Sequence, residues 1–283
     1  MAAQSSLENF GWDRIEDAAG NEGIIINQYK GTETTVTFPD TIEGLPVIAI
    51  YTEIFEQCPV QVTSVVLPKH LQWIGYEWFQ DGEYPYNRFT YDRIFHLSIS
   101  DSNPNFCVVD DVLFSKDMST LYYYPICDPD RPMSYTIPSG VRTIAESAFR
   151  VSYPEYPEYD DSMEIVDWKK NTPMLKELML PKTLEYIEYY AFYNTGSIER
   201  FYFLGSVPEL AFDREFTSEQ DDYTWRRVFG FDSSWSTLPT FGGLDVEYFN
   251  HVLVADDMVF FFDEYWVETD DGEAPMAMAL QAS

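Results

Sequence analysis

Catalytic and metal sites are built from histidines, cysteines and carboxylates that a fold brings together. This sequence of 283 residues contains 3 His and 3 Cys. No histidine has a second histidine at metal-ligand spacing, and no two cysteines form a C-x-x-C pair. The acidic doublets Asp160-Asp161 and Asp221-Asp222 lack the alternating oxygen ligands and the glycine of a calcium loop. No Walker or G-x-G-x-x-G pattern occurs. The sequence therefore predicts no metal site, no cofactor and no catalytic residues.

The cysteines, Cys58, Cys107 and Cys127, are odd in number and cannot all pair within one chain. Small unpaired cysteines behave as weakly polar hydrophobic residues in protein interiors. We expect all of them to be buried and free.

A spaced pattern of apolar residues recurs along the chain. The elements that it predicts must position the remaining side chains. Pro68, Leu71, Ile74 and Phe79 follow one another at offsets of three, three and five residues. The same offsets recur in two further copies, and a fourth copy carries five extra residues after its proline: Pro138, Val141, Ile144, Phe149; Pro181, Leu184, Ile187, Phe192; Pro39, Val47, Ile50, Phe55. Self-similarity of this kind is typical of repeat architectures.

A short strand is predicted just before each proline. Leu175, Leu178 and Leu180 show the spacing L-x-x-L-x-L, in which the last two apolar residues flank one outward residue. Val62, Val65 and Leu67 match this spacing, and two further rungs keep the spacing but lack the proline: Ile94, Leu97, Ile99; and Ile198, Phe201, Phe203. Such strands, stacked about 4.8 Å apart, would form a parallel sheet over a continuous core. The Ile and Phe of each copy would return on the opposite side of that core.

The outward positions of these strands form two predicted rows. The first row is Thr35, Ser64, His96, Ser134, Glu177 and Arg200, and the second row is Thr37, Val66, Ser98, Thr136, Met179 and Tyr202. His96 between two serines could activate a hydroxyl. However, a flat sheet exposes these side chains and supplies no evident oxyanion hole, so we interpret the first row as solvated. Together the rows predict a ligand-binding face, with Val66, His96, Ser98, Thr136, Glu177, Met179, Arg200 and Tyr202 as candidates.

The repeat resembles the BspA-like (Treponema-type) leucine-rich-repeat family, whose unit reads roughly L-x-x-I-x-L-P-x-x-L-x-x-I-G-x-x-A-F. Ile74-Gly75 matches the I-G step, and Ala148-Phe149 and Ala191-Phe192 match the closing pair. Other copies depart from the unit, with Trp78 and Ile54 in place of the alanine and Tyr51, Ala145 and Glu188 in place of the glycine. The resemblance covers about residues 24–216 and implies a β-rich solenoid, with a parallel concave sheet and short turns or helical pieces on the return side. It also implies surface adhesion or host interaction, as in many relatives.

The predicted organisation follows from the repeat and its interruptions. Residues 1–23 form an N-terminal segment, and residues 24–216 form the solenoid. The solenoid has inserts at 80–93 and 150–174, and the second insert contains Tyr153, Tyr156 and Tyr159, which we add to the candidate binding residues. Residues 217–267 are predicted to be irregular and to include a C-terminal capping β-hairpin, and residues 268–283 a flexible tail. Val108–Phe114 predicts a hairpin with an Asp-Asp turn, and its echo at Val254–Phe260 predicts the capping hairpin.

The charge of the chain limits its partners. Acidic residues number 48 against 17 basic ones, for a net charge of −31. Such a chain repels phosphate backbones and anionic membranes, so we expect no nucleic-acid partner. No apolar run of about 18 residues occurs, so we expect no membrane insertion. The sequence as written shows no signal peptide. That predicts a cytoplasmic protein if Met1 is the native start, and a cell-surface or secreted one if a signal was removed.

These observations leave three functional hypotheses from different classes. The first is a non-catalytic protein-binding module whose acidic surface favours a basic partner. The second is a carbohydrate-binding module, because the tyrosines of the inserts stand beside carboxylates. The third is a glycoside-processing enzyme, which needs two facing carboxylates at a defined separation. The sequence places no such pair, so we predict a binding module and not an enzyme.

Overall fold

A computed structural model shows a fold that, in its described residues, consists almost entirely of β-strands. The structure describes residues 4–51, 54–55, 58–79, 82–84, 94–151, 175–188, 191–192, 195, 198, 200–204, 209–210, 240–242, 266–269 and 272–275. These residues form 21 strands, one 3-10 turn at Leu7–Asn9 and no α-helix. The chain divides into unit 1 (residues 1–128 and 145–152) and unit 2 (residues 129–144 and 153–283).

Unit 1 contains the first twelve strands. They are β1 Phe10–Glu16, β2 Glu22–Tyr29, β3 Thr35–Thr37, β4 Thr41–Ile42, β5 Leu45–Tyr51, β6 Ser64–Val66, β7 Trp73–Phe79, β8 Gly82–Tyr84, β9 His96–Ser98, β10 Phe106–Val109, β11 Val112–Ser115 and β12 Thr120–Tyr123. Strands β3, β6 and β9 form a parallel sheet in that order, as the spacing of the predicted strands indicates.

A second sheet forms the return side of unit 1. Its order is β1-β2-β5-β7-β8, with β2, β5 and β7 parallel and with β4 paired to β5. The repeat isoleucines Ile50 and Ile74 pair with each other in this ladder, and Ile26 of β2 pairs with Ile50. The prediction of short turns or helical pieces on the return side is therefore wrong for this unit. The run Val47-Ile48-Ala49-Ile50 is buried and rich in β-branched residues, which favours an extended strand.

The core of unit 1 combines residues of both sheets. Val36, Val65 and Leu97 come from the first sheet, and Ile50 and Ile74 come from the second; each is at most 3 % exposed. Ile15, Ile25, Ile48 and Ala49 form a separate small buried cluster. Within β2 and β5, neighbouring residues thus belong to different apolar clusters, as Ile25 differs in this from Ile24 and Ile26. The continuous apolar run of β5 reflects this burial on both sides.

The Asp-Asp hairpin predicted at Val108–Phe114 is confirmed. Strand β10 pairs with β11 in antiparallel fashion, with Val109 opposite Val112. Asp110 and Asp111 adopt φ values of 50° and 62°, as the two-residue type I′ turn of a hairpin requires. Strand β12 then pairs with β11, so that a three-stranded meander follows β9.

Unit 2 repeats the first sheet over more rungs. Its strands are β13 Ser134–Thr136, β14 Thr143–Ile144, β15 Glu177–Leu180, β16 Tyr186–Ile187, β17 Arg200–Phe203, β18 Glu209–Leu210, β19 Thr240–Gly242, β20 Trp266–Thr269 and β21 Gly272–Pro275. Strands β13, β15, β17 and β19 form a parallel sheet in that order. On the return side, β14, β16 and β18 pair in parallel over two residues each.

The closing phenylalanines of the repeat fill the interior where they are described. Phe149 and Phe192 are fully buried, as predicted. In unit 1 the ring of Phe149 stacks on Tyr124 at a centroid distance of 5.0 Å, and in unit 2 Phe192 meets Phe201 edge-on at 5.2 Å. Phe55, in the copy with extra residues, is only half-buried, and the side chain of Phe79 lies outside the described part.

Several predicted segments fall partly or wholly outside the described residues. Part of the first insert forms β8, which pairs with β7 in antiparallel fashion. Most of the second insert, residues 152–174, is outside, as is the hairpin predicted at Val254–Phe260. Strands β20 and β21 form an antiparallel hairpin that crosses the boundary placed at residue 267. The capping hairpin and the domain boundaries therefore stay predictions.

Candidate functional site

In unit 1 the outward residues of the first sheet lie in the two predicted rows. Parallel pairing joins Thr35 to Ser64 and Ser64 to His96 in one row, and Thr37 to Val66 and Val66 to Ser98 in the other. The residues between the rows, Val36, Val65 and Leu97, are buried. The strand alternation thus places six outward side chains on one side of the sheet, half-buried or exposed, with the core behind them. We call this surface the unit 1 strand face.

Unit 2, taken by itself, has the same two-row register with different residues. The first row pairs Ser134, Glu177, Arg200 and Thr240, and the second row pairs Thr136, Met179, Tyr202 and Gly242. Ser134 and Thr136 are exposed, and Glu177 and Met179 are half-buried. Arg200 and Tyr202 are placed by backbone register alone. We call this surface the unit 2 strand face. Tyr153, Tyr156 and Tyr159 lie outside the described residues, so the structure does not bring them to either face.

His96, the one histidine of the predicted rows, faces an acidic residue. Its Nδ1 lies 3.7 Å from Asp111 Oδ2, and its side chain is 65 % exposed. The other carboxylate oxygen of Asp111 accepts a hydrogen bond from the Leu97 N–H at 3.0 Å. Within the described part of the chain, no hydrogen bond joins His96 to Ser64, its neighbour in the row. The arrangement places an imidazole and a carboxylate together at the β9 edge, and it gives no support to hydroxyl activation.

Asn103 positions this corner and was missed by sequence reasoning. It is fully buried, and its Nδ2 donates to the Lys69 carbonyl at 3.1 Å and to the Leu71 carbonyl at 3.0 Å. Its Oδ1 accepts from the N–H groups of Asn105 at 2.8 Å and Phe106 at 2.7 Å. All four hydrogen-bonding positions of the amide are thus used. This ties the start of β10 to the turn after Pro68. The motif Asn103-Pro104-Asn105 is the signal that could have indicated it.

Side chains also join the turns that follow the repeat prolines. In unit 1 Asp40, directly after Pro39, accepts a hydrogen bond from the Lys69 N–H at 2.7 Å. In unit 2 the hydroxyl of Thr183 accepts from the Gly140 N–H at 3.0 Å and donates to the Val141 carbonyl at 2.7 Å. These contacts satisfy turn backbone groups that have no strand partner, so neighbouring rungs are held in register.

The cysteines correct one expectation. None of them forms a disulfide, but each is half-buried rather than buried. The Cys58 thiol donates to the Gly31 carbonyl at 3.4 Å, and the Cys107 thiol to the Ser115 carbonyl at 3.3 Å. Burial raises the pKa of the Cys107 thiol, so the less reactive protonated form is favoured.

Within the described ranges, no group of three or more His, Cys, Asp or Glu side chains is arranged to hold a metal ion. The same part of the chain contains no helix with the length and apolar character that a bilayer crossing demands.

Comparison with solved structures finds other leucine-rich-repeat proteins. The chain is similar to the Treponema pallidum leucine-rich-repeat protein TpLRR, with 16 % identity, 86 % of this chain and 83 % of that chain covered, and a TM-score of 0.40. A leucine-rich-repeat protein from Eubacterium ventriosum matches with 20 % identity and a TM-score of 0.37, and the match covers 62 % of this chain and 44 % of that chain. The pneumococcal vaccine antigen PcpA matches with 20 % identity and a TM-score of 0.32, and the match covers 69 % of this chain and 60 % of that chain. A search of curated proteins found no match.

The family is decided by sequence rather than by these distant likenesses. The BspA type leucine-rich-repeat region, described with six copies, matches residues 28–125, 48–167 and 133–215. These ranges together span well over half of the chain and contain every proline-bearing copy of the repeat. The chain therefore belongs to the BspA type leucine-rich-repeat family.

Proposed function

We propose that the chain is a non-catalytic module that binds a protein partner through the strand faces of its two units. Membership in this repeat family is typical of protein-interaction or adhesion-type modules. The observation that carries the proposal is the shared register, which aligns the outward side chains of successive strands within each unit.

The strand faces suit recognition because their backbone is fixed before a partner arrives. Parallel pairing on both sides and the buried residues behind the sheet leave Val66 and Met179 little freedom of position. Because folding already orders this backbone, binding a partner costs little further conformational entropy, which favours affinity. We propose that the strands of each unit stack as solenoid rungs and present these residues side by side.

The unit 2 strand face supplies apolar contact area. The side chain of Met179 is half-buried, and Met179 pairs in register with Tyr202 of the neighbouring strand. Methionine and tyrosine are enriched in the buried centres of protein interfaces. The predicted contribution of Tyr153, Tyr156 and Tyr159 would add rigid aromatic surface next to these residues.

A capture experiment with matched baits tests the proposal. The wild-type chain, Met179→Ala, Tyr202→Ala and Lys182→Ala would each be immobilised and exposed to extract from the source organism. Lys182 is exposed on the turn after Pro181, so its variant is the control for the return side. We expect a protein that the wild-type chain and the Lys182 variant retain and that the two strand-face variants retain less well. Partners that depend only on Lys182, or on none of these residues, would overturn the proposed face.

A glycan array separates the carbohydrate-binding alternative from the protein-binding one. The proposal predicts no glycan whose binding depends on Met179 or Tyr202. A glycan that the wild-type chain binds and that Tyr202→Ala loses would replace the protein partner with a sugar.

A further inference from the structure

The parallel sheet of unit 1 has both of its edges occupied by other parts of the same unit. At the β3 edge the Ser5 N–H donates to the Thr37 carbonyl at 3.1 Å, and the Thr37 N–H donates to Ser5 Oγ at 3.1 Å. Ser5 is itself buried. The backbone groups with which Thr37 could receive a further strand are therefore used within the chain.

The β9 edge is closed by a side chain instead of a strand. The Leu97 N–H points away from β6 and donates to Asp111 Oδ1 at 3.0 Å. The His96 N–H and the Ser98 carbonyl point the other way, toward Thr63 and Leu67. Asp111 reaches this edge because the type I′ turn places it in the left-handed region, which aspartate tolerates better than most residues. A partner strand would have to displace this carboxylate.

With its edges closed, unit 1 offers a partner the side chains of its strand face. None of the six face residues is Lys, Arg, Asp or Glu, and the Asp111 carboxylate lies beside His96 at the β9 edge. Asp110 adjoins it on the same turn and is exposed. The chain as a whole carries a net charge of −31. The acidic corner at Asp110 and Asp111 and the negative net charge of the chain both favour a basic partner.

We propose that the unit 1 strand face binds a basic protein segment through side-chain contacts alone, with a lysine or arginine of that partner beside Asp111. This inference rests on the proposed function and assigns the chemistry of the partner for this face. Strand addition to the sheet edge, the other common way in which sheets bind peptides, would have to displace Ser5 or Asp111.

Two lysine substitutions distinguish local binding from attraction by net charge. Ser98→Lys adds one positive charge on the strand face, and Glu22→Lys changes the charge by two at the exposed start of β2, on the return side. The probe is a fluorescent synthetic peptide of alternating lysine and threonine, and binding to the full-length chain is measured by anisotropy. We expect Ser98→Lys to weaken binding about two- to fivefold, because exposed charges interact weakly. The loss should be larger than the loss caused by Glu22→Lys. Asp111→Asn keeps an acceptor for the Leu97 N–H and should weaken binding by a similar factor.

The matched peptide of alternating glutamate and threonine should not bind. If Glu22→Lys weakens binding as much as Ser98→Lys, or if the glutamate peptide binds equally well, the assignment of a basic partner to this face is wrong. That outcome leaves the capture experiment on Met179 and Tyr202 untouched, because those residues belong to unit 2. Circular dichroism of each variant confirms that an altered affinity does not come from unfolding.

Discussion

The two units carry the same repeat but build their return sides differently. In unit 1 the return strands β5 and β7 have seven residues each, whereas β14, β16 and β18 in unit 2 have two. Ile48 of β5 is buried in a second apolar cluster. In unit 2 the residues just before β14 and β16, Arg142 and Glu185, are exposed and form an ion pair at 2.9 Å. The repeat offsets thus decide which residues enter the core, and the residues between them decide whether the return side becomes a strand.

The strand faces, by contrast, follow one rule in both units. In each outward row, residues at equivalent positions of successive strands pair with one another, although the return sides of the two units differ. Both faces present small hydroxyl side chains. They differ in the other residues, which are Val66 and His96 in unit 1 and Glu177 and Met179 in unit 2. This separation of scaffold from surface lets one repeat present different side chains on its outward face.

The largest expected effect tests whether the core is equivalent in the two units. Phe149→Ala in unit 1 and Phe192→Ala in unit 2 remove fully buried rings at the same repeat position. Each should lower the free energy of unfolding by about 3–5 kcal/mol, because a cavity replaces the ring. The measurement is urea denaturation, with Phe→Leu at each position as the milder control. A loss below about 1 kcal/mol for either alanine variant would show that its ring does not fill the core.

The next effect tests the difference between the return sides. Ile48→Ala in β5 should cost about 2–5 kcal/mol, since Ile48 is 2 % exposed among other apolar residues. Arg142→Ala in unit 2 should cost at most about 1 kcal/mol, because its ion pair with Glu185 is exposed to solvent. Thermal and urea unfolding of both variants measure this contrast. Equal losses would remove the distinction between a buried and a solvated return side.

A smaller effect tests the closed edge of the unit 1 sheet. Asp111→Ala leaves the Leu97 N–H without its acceptor and places alanine at a positive φ, so it should cost about 1–3 kcal/mol. Asp111→Asn retains the acceptor and tolerates that conformation, so its stability should stay close to that of the wild type. Hydrogen exchange at Leu97 should accelerate in the alanine variant only. Fast exchange in the wild-type chain would show that the carboxylate does not protect this edge.

The smallest effect concerns pH and the turn between β11 and β12. Hydrogen bonds from the Ser115 and Ser119 side chains and from the Ser119 N–H lower the pKa of Asp117 to about 2. A lowered folded-state pKa favours the ionised form, so the stabilisation is complete above the usual value of 3.8 and is lost as the pH falls toward about 2. Carbon-detected NMR titration of the carboxylate should give this low value in the wild type and a higher one in Ser115→Ala. A titration near 3.8 in both proteins would contradict these contacts.

The sequence predicted the features that depend on periodicity and turn chemistry. The outward rows and the burial of Phe149 follow from apolar spacing, and the Asp110-Asp111 turn follows from the conformational preference of aspartate. The sequence did not predict the return strands of unit 1, because the periodicity of a short apolar run does not distinguish a strand from a buried helical segment. Nor did it predict the roles of Ser5 and Asn103, whose partners lie about thirty residues away along the chain.

The most direct test of the strand faces is site-specific photo-cross-linking to a captured partner. A photoreactive phenylalanine derivative would replace Ser98 on the unit 1 strand face and Thr136 on the unit 2 strand face, and Glu22 and Lys182 on the return sides as controls. All four positions are exposed, so the substitutions should leave the core intact. We expect covalent adducts with the partner from Ser98 or Thr136 and none from the two controls. Adducts from Glu22 or Lys182, with none from the strand faces, would contradict the proposal.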